Sequence, residues 1–361
     1  MSKKLKVGVL GATGMVGQRF VTLLDSHPWY EVTAVAASAR SANRRYADAV
    51  AGRWSMKQPI PATLADRVVI DASEVKRVAD QVDFVFCAVE MSKEATARLE
   101  EEYARAEIPV VSNNSAHRAT PDVPMMVPEV NPEHAAVIEA QRRRLGTRRG
   151  FVAVKPNCSL QSYVPALQPL RGFGPKRVAV ATYQAISGAG KTFASWPEMV
   201  DNVIPFIKGE EEKSEREPLK LWGELRDGRI VDATEPVFSA QCIRVAAADG
   251  HMAAVFVSFE RKPSREEVLE LWRTFEGRPQ KLGLPSAPRP FLRYHEEDSR
   301  PQTRLDRDAG DGMAISIGRL RPDPLFDYRF VCLSHNTVRG AAGGAVLTAE
   351  LLTADGYIQA R

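Results

Sequence analysis

The sequence has few cysteines, no long apolar run and no strong excess of charge of either sign. Its four cysteines, Cys87, Cys158, Cys242 and Cys332, occur in 361 residues without a Cys-x-x-Cys pair or paired histidine spacing. That argues against a disulfide framework and against a bound zinc or other metal, and it suits a reducing, cytoplasmic setting. No window approaches the ~18 apolar residues of a membrane span. The opening Met-Ser-Lys-Lys-Leu-Lys runs straight into a strand-like segment with no export signal visible. Lysine and arginine number 49 against 45 acidic residues, a net charge of +4 spread along the chain, so bulk charge makes no case for nucleic acid. The densest basic stretch, Arg142, Arg143, Arg144, Arg148 and Arg149, lacks interleaved aromatics and reads as a solvated helix end and loop.

What is present is ordinary globular material, 44% hydrophobic and 26% charged, long enough for two domains at about 150 residues each. Short β-rich runs at 5–10, 31–37, 82–89 and 108–112 alternate with helical patterns at 18–24 and 92–107, the mark of βαβ units. The expected fold is therefore α/β. A doubly wound, Rossmann-type parallel sheet occupies 1–150, and an α+β domain at 151–335 has strands near 177–185, 235–245 and 252–260. Ser264-x-x-Glu267 is a capping box opening a helix, and the apolar 343–353 helix is expected to return with 336–361 onto the first domain.

Between the first strand and the first helix lies Gly11-Ala-Thr13-Gly14-Met15-Val16-Gly17, where glycines permit close backbone approach and a helix N-terminus attracts pyrophosphate. At the end of the second strand, where an acidic residue would hold an NAD ribose, stand Ser38, Arg40 and Ser41. Hydroxyls and a guanidinium suit a 2′-phosphate, so NADP is expected rather than NAD. Cys158, in Pro156-Asn157-Cys158-Ser159, follows a strand and precedes the helix-like 160–170. A cysteine at that junction is either an inert structural thiol or a nucleophile whose pKa a helix N-terminus lowers. The other three cysteines lie in strand-like runs and read as buried hydrophobes.

Six separated motifs, in order, carry a resemblance: 11–17, Ser112-Asn-Asn-Ser-Ala-His-Arg118, 156–159, Gln184-Ala-Ile-Ser-Gly-Ala-Gly190, Arg244 with His251, and Asn336-Thr-Val-Arg-Gly-Ala-Ala-Gly-Gly344. Together they resemble the aspartate-semialdehyde dehydrogenase family, and 300–310 points to its archaeal and fungal branch. The resemblance implies NADPH-dependent reductive dephosphorylation of L-4-aspartyl phosphate to L-aspartate 4-semialdehyde and phosphate. It implies Cys158 as nucleophile, His251 as acid/base and Gln184 as the residue holding the acyl group. Arg244 would pair with the substrate α-carboxylate, and Arg118 and Asn157 would hold phosphate. A glutamate for the substrate amine and a lysine near phosphate fall most naturally on Glu210 and Lys213, with Glu211 open as an alternative register. Ser187, Gly188 and Asn336 would meet the nicotinamide.

Leu160, Ala246 and Met252 depart from the family pattern in the pocket lining. Rival readings are a malonyl-CoA reductase or an N-acetylglutamyl-phosphate reductase on the same scaffold, and a non-catalytic NADP-binding sensor, against which Cys158 and His251 both stand. No membrane or nucleic-acid partner is expected, and the family implies a homodimer or homotetramer.

Overall fold

The computed structural model describes residues 4–361. Six strands form a parallel sheet: β1 (Leu5–Leu10), β2 (Tyr30–Ala37), β3 (Ile70–Asp71), β4 (Phe84–Cys87), β5 (Val110–Ser112) and β6 (Val152–Val154). Their order is β3-β2-β1-β4-β5-β6. The chain winds outward from β1 to β3, then returns to lay β4 on the other side of β1, which opens a crevice beyond the carboxyl ends of β1 and β4. β4, β5 and β6 are wholly buried, as strands covered on both faces by helices must be.

Residues 152–154 were expected to open the second domain. They pair instead with β5, Val110 opposite Val152, and close the edge of the first sheet. Three consecutive buried apolar residues carry no alternation, so their pattern does not say which sheet they join.

A hairpin, β9 (Glu224–Arg226) with β10 (Arg229–Val231), stands apart from a seven-stranded mixed sheet. That sheet comprises β7 (Pro175–Gln184), β8 (Val203–Ile204), β11 (Val237–Val245), β12 (His251–Phe259), β13 (Leu292–His295), β14 (Ile315–Pro322) and β15 (Tyr328–Ser334), in the order β13-β14-β15-β12-β7-β11-β8. One face packs Val178, Val180, Val255 and Val257 against Leu160, Tyr163, Leu167 and Trp272. The other leaves Arg177, Tyr183 and Val237 exposed and Met252 and Phe256 half-buried. The Arg265–Thr274 helix starts at the expected capping box: Ser264 Oγ accepts from the Glu267 amide, and Glu267 accepts from the Ser264 amide.

The helix-like 160–170 is broken into a 3-10 turn (Ser159–Gln161), one short turn of helix (Val164–Leu167) and another 3-10 stretch (Gln168–Phe173). Pro165 and Pro169 supply no backbone donors there, so no long run of aligned peptides follows Cys158.

The Gly343–Ala354 helix returns to the first sheet, as expected. It is buried almost all round, with Val346, Leu347, Leu351 and Leu352 joining Val7, Val9, Phe20 and Val111 in one core. Ahead of it Arg339, fully buried, donates in a fork to Glu129 at 2.8 and 2.6 Å and to Gln161 at 3.2 Å, tying the returning segment to the segments on either side of β6. Among the described residues no helix is long and apolar enough to cross a membrane.

Candidate active site

Gly11 has φ +82°, and a Cβ there would collide with the Ala88 carbonyl at the end of β4. Gly14 caps the Met15–Leu24 helix without a side chain, leaving the first amides of the helix uncapped. A cavity of ≈ 750 Å³ opens at this point, lined by Gly11, Thr13, Gly14, Ser38, Arg40 and Ser41. Two further cations line it, Arg44 and Arg53, and Arg53 Nη2 donates to Ser41 Oγ at 3.1 Å. The donor set fits a dinucleotide phosphate chain at the helix end and a further phosphate among three arginines and two serines.

The second half of the site is made where strand ends of the mixed sheet meet. Gln184 ends β7 and pairs in register with Arg244 near the end of β11, while His251 begins β12 beside them. Arg244 Nη1 donates to the Ala185 carbonyl at 2.7 Å, and the Ala185 amide donates to His251 Nδ1 at 3.1 Å. Gly188 lies over this pair: a Cβ there would stand 2.9 Å from Arg244 Nη1 and 3.0 Å from His251 Nε2, so only glycine lets the loop come so close. Asn336 fastens the rim, its amide donating to Ser187 Oγ at 2.8 Å and its oxygen accepting from the Gly250 amide at 2.8 Å.

Cys158 faces this cluster from the end of β6. The Asn157 side chain next to it donates to both oxygens of Glu210 at 2.9 Å, and Glu210 also accepts from Lys213 at 2.9 Å and Gln184 at 3.3 Å. Glu210 opens the Glu210–Leu221 helix and is the glutamate that turns inward; Glu211 accepts from Gln241 and the Cys242 amide outside the cluster. Glu217, two turns further on, bridges Arg118, at 2.9 Å, and the Asn157 amide, at 2.6 Å. Arg118, Lys213 and Glu217 line a cavity of ≈ 650 Å³ that also carries Lys93 and Arg216.

The charges follow from this packing. Burial, then Glu210, raises the Cys158 thiol, against the opposing pull of Lys155, Arg118 and Arg244. The thiol pKa lowered by a helix N-terminus is thus corrected: the broken helix after Cys158 supplies little dipole, and desolvation dominates. Burial followed by Arg244 pushes His251 down to about 3, so its ring is neutral. Burial alone would raise Glu210, but Lys213, Asn157 and Gln184 outweigh it and hold the carboxyl below its usual range. Cys87, Cys242 and Cys332 are buried, whereas Cys158 is partly open.

Glu217, Arg44, Arg53 and Lys155 escaped the sequence reading. Glu217 carried a signal, since Glu210, Lys213 and Glu217 share the i, i+3, i+7 face of one helix. The others are single charged residues whose surroundings only the fold supplies.

Fold and site together define a class, and the comparisons give it a name. Residues 6–138 match the family model for the semialdehyde dehydrogenase NAD binding domain, and residues 167–339 the one for the semialdehyde dehydrogenase dimerisation domain. The chain is 45% identical over 351 residues to the aspartate-semialdehyde dehydrogenase of Methanothermobacter thermautotrophicus, covering 96% of this chain and 99% of that one. To the Aspergillus fumigatus aspartate-semialdehyde dehydrogenase it is 43% identical over 367 residues, covering 98% and 99%. The crystal structure of the Candida albicans aspartate-semialdehyde dehydrogenase with NADP matches with a TM-score of 0.88 at 38% identity, over 99% of this chain and 100% of that one. The chain belongs to the aspartate-semialdehyde dehydrogenase family.

Proposed function

We propose that this protein catalyses the NADPH-dependent reductive dephosphorylation of L-4-aspartyl phosphate to L-aspartate 4-semialdehyde and phosphate. The observation that carries this reading is the meeting of Cys158 from one sheet with Gln184, Arg244 and His251 from the other, beside the Glu210–Asn157–Lys213 group. Bound NADPH supplies a hydride. The Met15–Leu24 helix end would receive its pyrophosphate, Ser38, Arg40, Ser41, Arg44 and Arg53 its 2′-phosphate, and Ser187, Gly188 and Asn336 its nicotinamide end.

Arg244, charged and planar, pairs with the α-carboxylate, and Glu210 receives the α-amine. Cys158 attacks the acyl carbon, phosphate departs toward Arg118, Asn157 and Lys213, and a thioester remains on sulfur. Gln184 keeps the acyl group in line with Cys158, and the inward Nε2 of His251 is the acid/base atom. The activity printed for the relatives supports a place in amino-acid biosynthesis. The open face of the mixed sheet, in the region that matches the dimerisation domain, supports a homodimer, or a tetramer built of two.

The test is a spectrophotometric assay with aspartate semialdehyde, inorganic phosphate and NADP. Phosphate-dependent NADPH formation is expected. Activity with malonyl-CoA in its place would overturn the substrate assignment, and NADPH binding without any turnover would leave a sensor.

A further inference from the structure

Two carboxylates on one face of the Glu210–Leu221 helix divide the phosphate side of the site between them. Glu210 takes Lys213 and the Asn157 side chain. Glu217 takes Arg118 and the Asn157 main chain: Oε1 accepts from Arg118 Nη1 at 2.9 Å, and Oε2 accepts from the Asn157 amide at 2.6 Å. Both side chains of the Arg118–Glu217 pair are largely buried, so salt and water screen it little.

No part of the substrate accounts for Glu217. A carboxylate repels a departing phosphate, yet this one stands against the guanidinium that is to receive it, bonded to the residue before Cys158. Arg118 keeps donors for an oxyanion all the same. Its Nη2 donates to the Asn113 carbonyl at 3.1 Å, while Nε is buried without a partner, so most of the donor fork is free.

The same helix holds the Arg118 loop independently of Glu217. Lys220 donates through Nζ to the carbonyls of Arg118 and Thr120, each at 2.7 Å, and of Val123 at 3.1 Å. The main chain beneath the guanidinium therefore stays in place when the ion pair is cut, and what changes is the charge facing the phosphate.

We propose that Glu217 is a positioning residue for phosphate departure. Its Oε2 fixes the peptide that leads into Cys158, and its Oε1 is the built-in counter-ion of Arg118, with which phosphate must compete. A desolvated guanidinium without a counter-ion would hold any oxyanion tightly; pairing it in advance lowers that affinity and lets the product leave. The inference rests on phosphate meeting Arg118 and Asn157, as the activity proposed above requires.

Glu217→Gln separates the two contacts. The amide oxygen can still accept from the Asn157 amide, whereas the amide NH2 cannot pair with a guanidinium. KM for inorganic phosphate, with aspartate semialdehyde and NADP saturating, is expected to fall about fivefold, while KM for aspartate semialdehyde stays within about twofold of the wild type. Phosphate should also raise the melting temperature of the variant at about fivefold lower concentration, a readout that needs no turnover. Glu217→Ala loses the acceptor for the Asn157 amide as well, and its kcat should fall at least about tenfold below that of Glu217→Gln. A phosphate KM that is unchanged or higher in Glu217→Gln, the result of a merely structural role, overturns the proposal, as does an equal kcat in the two variants. Should Glu217→Gln lose the native circular dichroism spectrum, its return on adding phosphate supports the proposal and its failure to return overturns it. A wild type active on aspartate semialdehyde with no gain in phosphate affinity in Glu217→Gln sinks only this inference; a gain, read by melting temperature, in a protein inert toward that substrate sinks only the substrate reading.

Discussion

The Asn157 side-chain amide donates to both carboxylate oxygens of Glu210, each at 2.9 Å. This contact joins the segment after the parallel sheet to the first residue of a helix that packs on the mixed sheet, so the two halves of the site share a hydrogen-bonded seam. Asn157→Ala leaves Glu210 with Lys213 and Gln184 but removes a donor from the phosphate side. Steady-state kinetics should give a fall in kcat/KM on the order of 10²-fold with the fold retained. A change of less than about threefold would remove Asn157 from the site.

For Cys158→Ala, turnover is expected to fall by at least about 10³-fold, with NADPH affinity measured by fluorescence titration unchanged within about twofold. Substantial residual turnover would refute the nucleophile.

The three arginines around Ser38 and Ser41 predict a cofactor effect with a sign. Arg53→Ala loses the donor that holds Ser41 Oγ and one positive charge in the cavity. Its Kd for NADP should rise about tenfold and that for NAD should scarcely move. Ser38→Asp with Arg40→Ala should act in the same direction. Equal effects on both cofactors would mean that the 2′-phosphate is read elsewhere.

Glu129→Gln leaves Arg339 fully buried without its carboxylate. Breaking such a pair costs about 3–5 kcal/mol, measurable as a lower denaturant midpoint. Because Gly340 packs on Cys158 within the same segment, a slower turnover should accompany the loss of stability.

Two buried histidines set an acid limit. Burial lowers His251 to about 3 and His335 to about 4, both below the ordinary imidazole value of 6.5. Between those values and 6.5 the unfolded chain binds more protons than the folded one, so stability rises with pH across that window and is lost as pH falls through it. The slope is up to about 1.4 kcal/mol per pH unit for each group. Urea unfolding at a series of pH values should give a shallower slope in His251→Asn, and an unchanged slope would mean that the ring is charged in the native state.

The parts of the site that could be read along the chain are those whose function follows from local geometry. The glycine loop is legible because a strand, a tight turn and a helix start follow one another within 5–24. The amphipathic 93–105 helix and the Ser264–Glu267 box are legible for the same reason. Arg44, Arg53 and Lys155 were opaque because a lone charged residue says nothing of its burial. Lys155 resembles any surface lysine until β6 is seen to end inside the protein. The sheet membership of 152–154 was equally hidden, since pairing partners more than 40 residues away decide it.

The amino-acid order by itself determined the α/β class and the glycine turn between the first strand and helix, because hydrophobic period and turn residues act over a few residues at a time. Only the tertiary structure decided which glutamate of 210–212 turns inward, and that the sulfur is desolvated beside a broken helix rather than placed at the start of a long one. Those outcomes depend on desolvation and on contacts between segments as much as 180 residues apart in sequence, such as Cys158 with Gly340, and no local pattern encodes them.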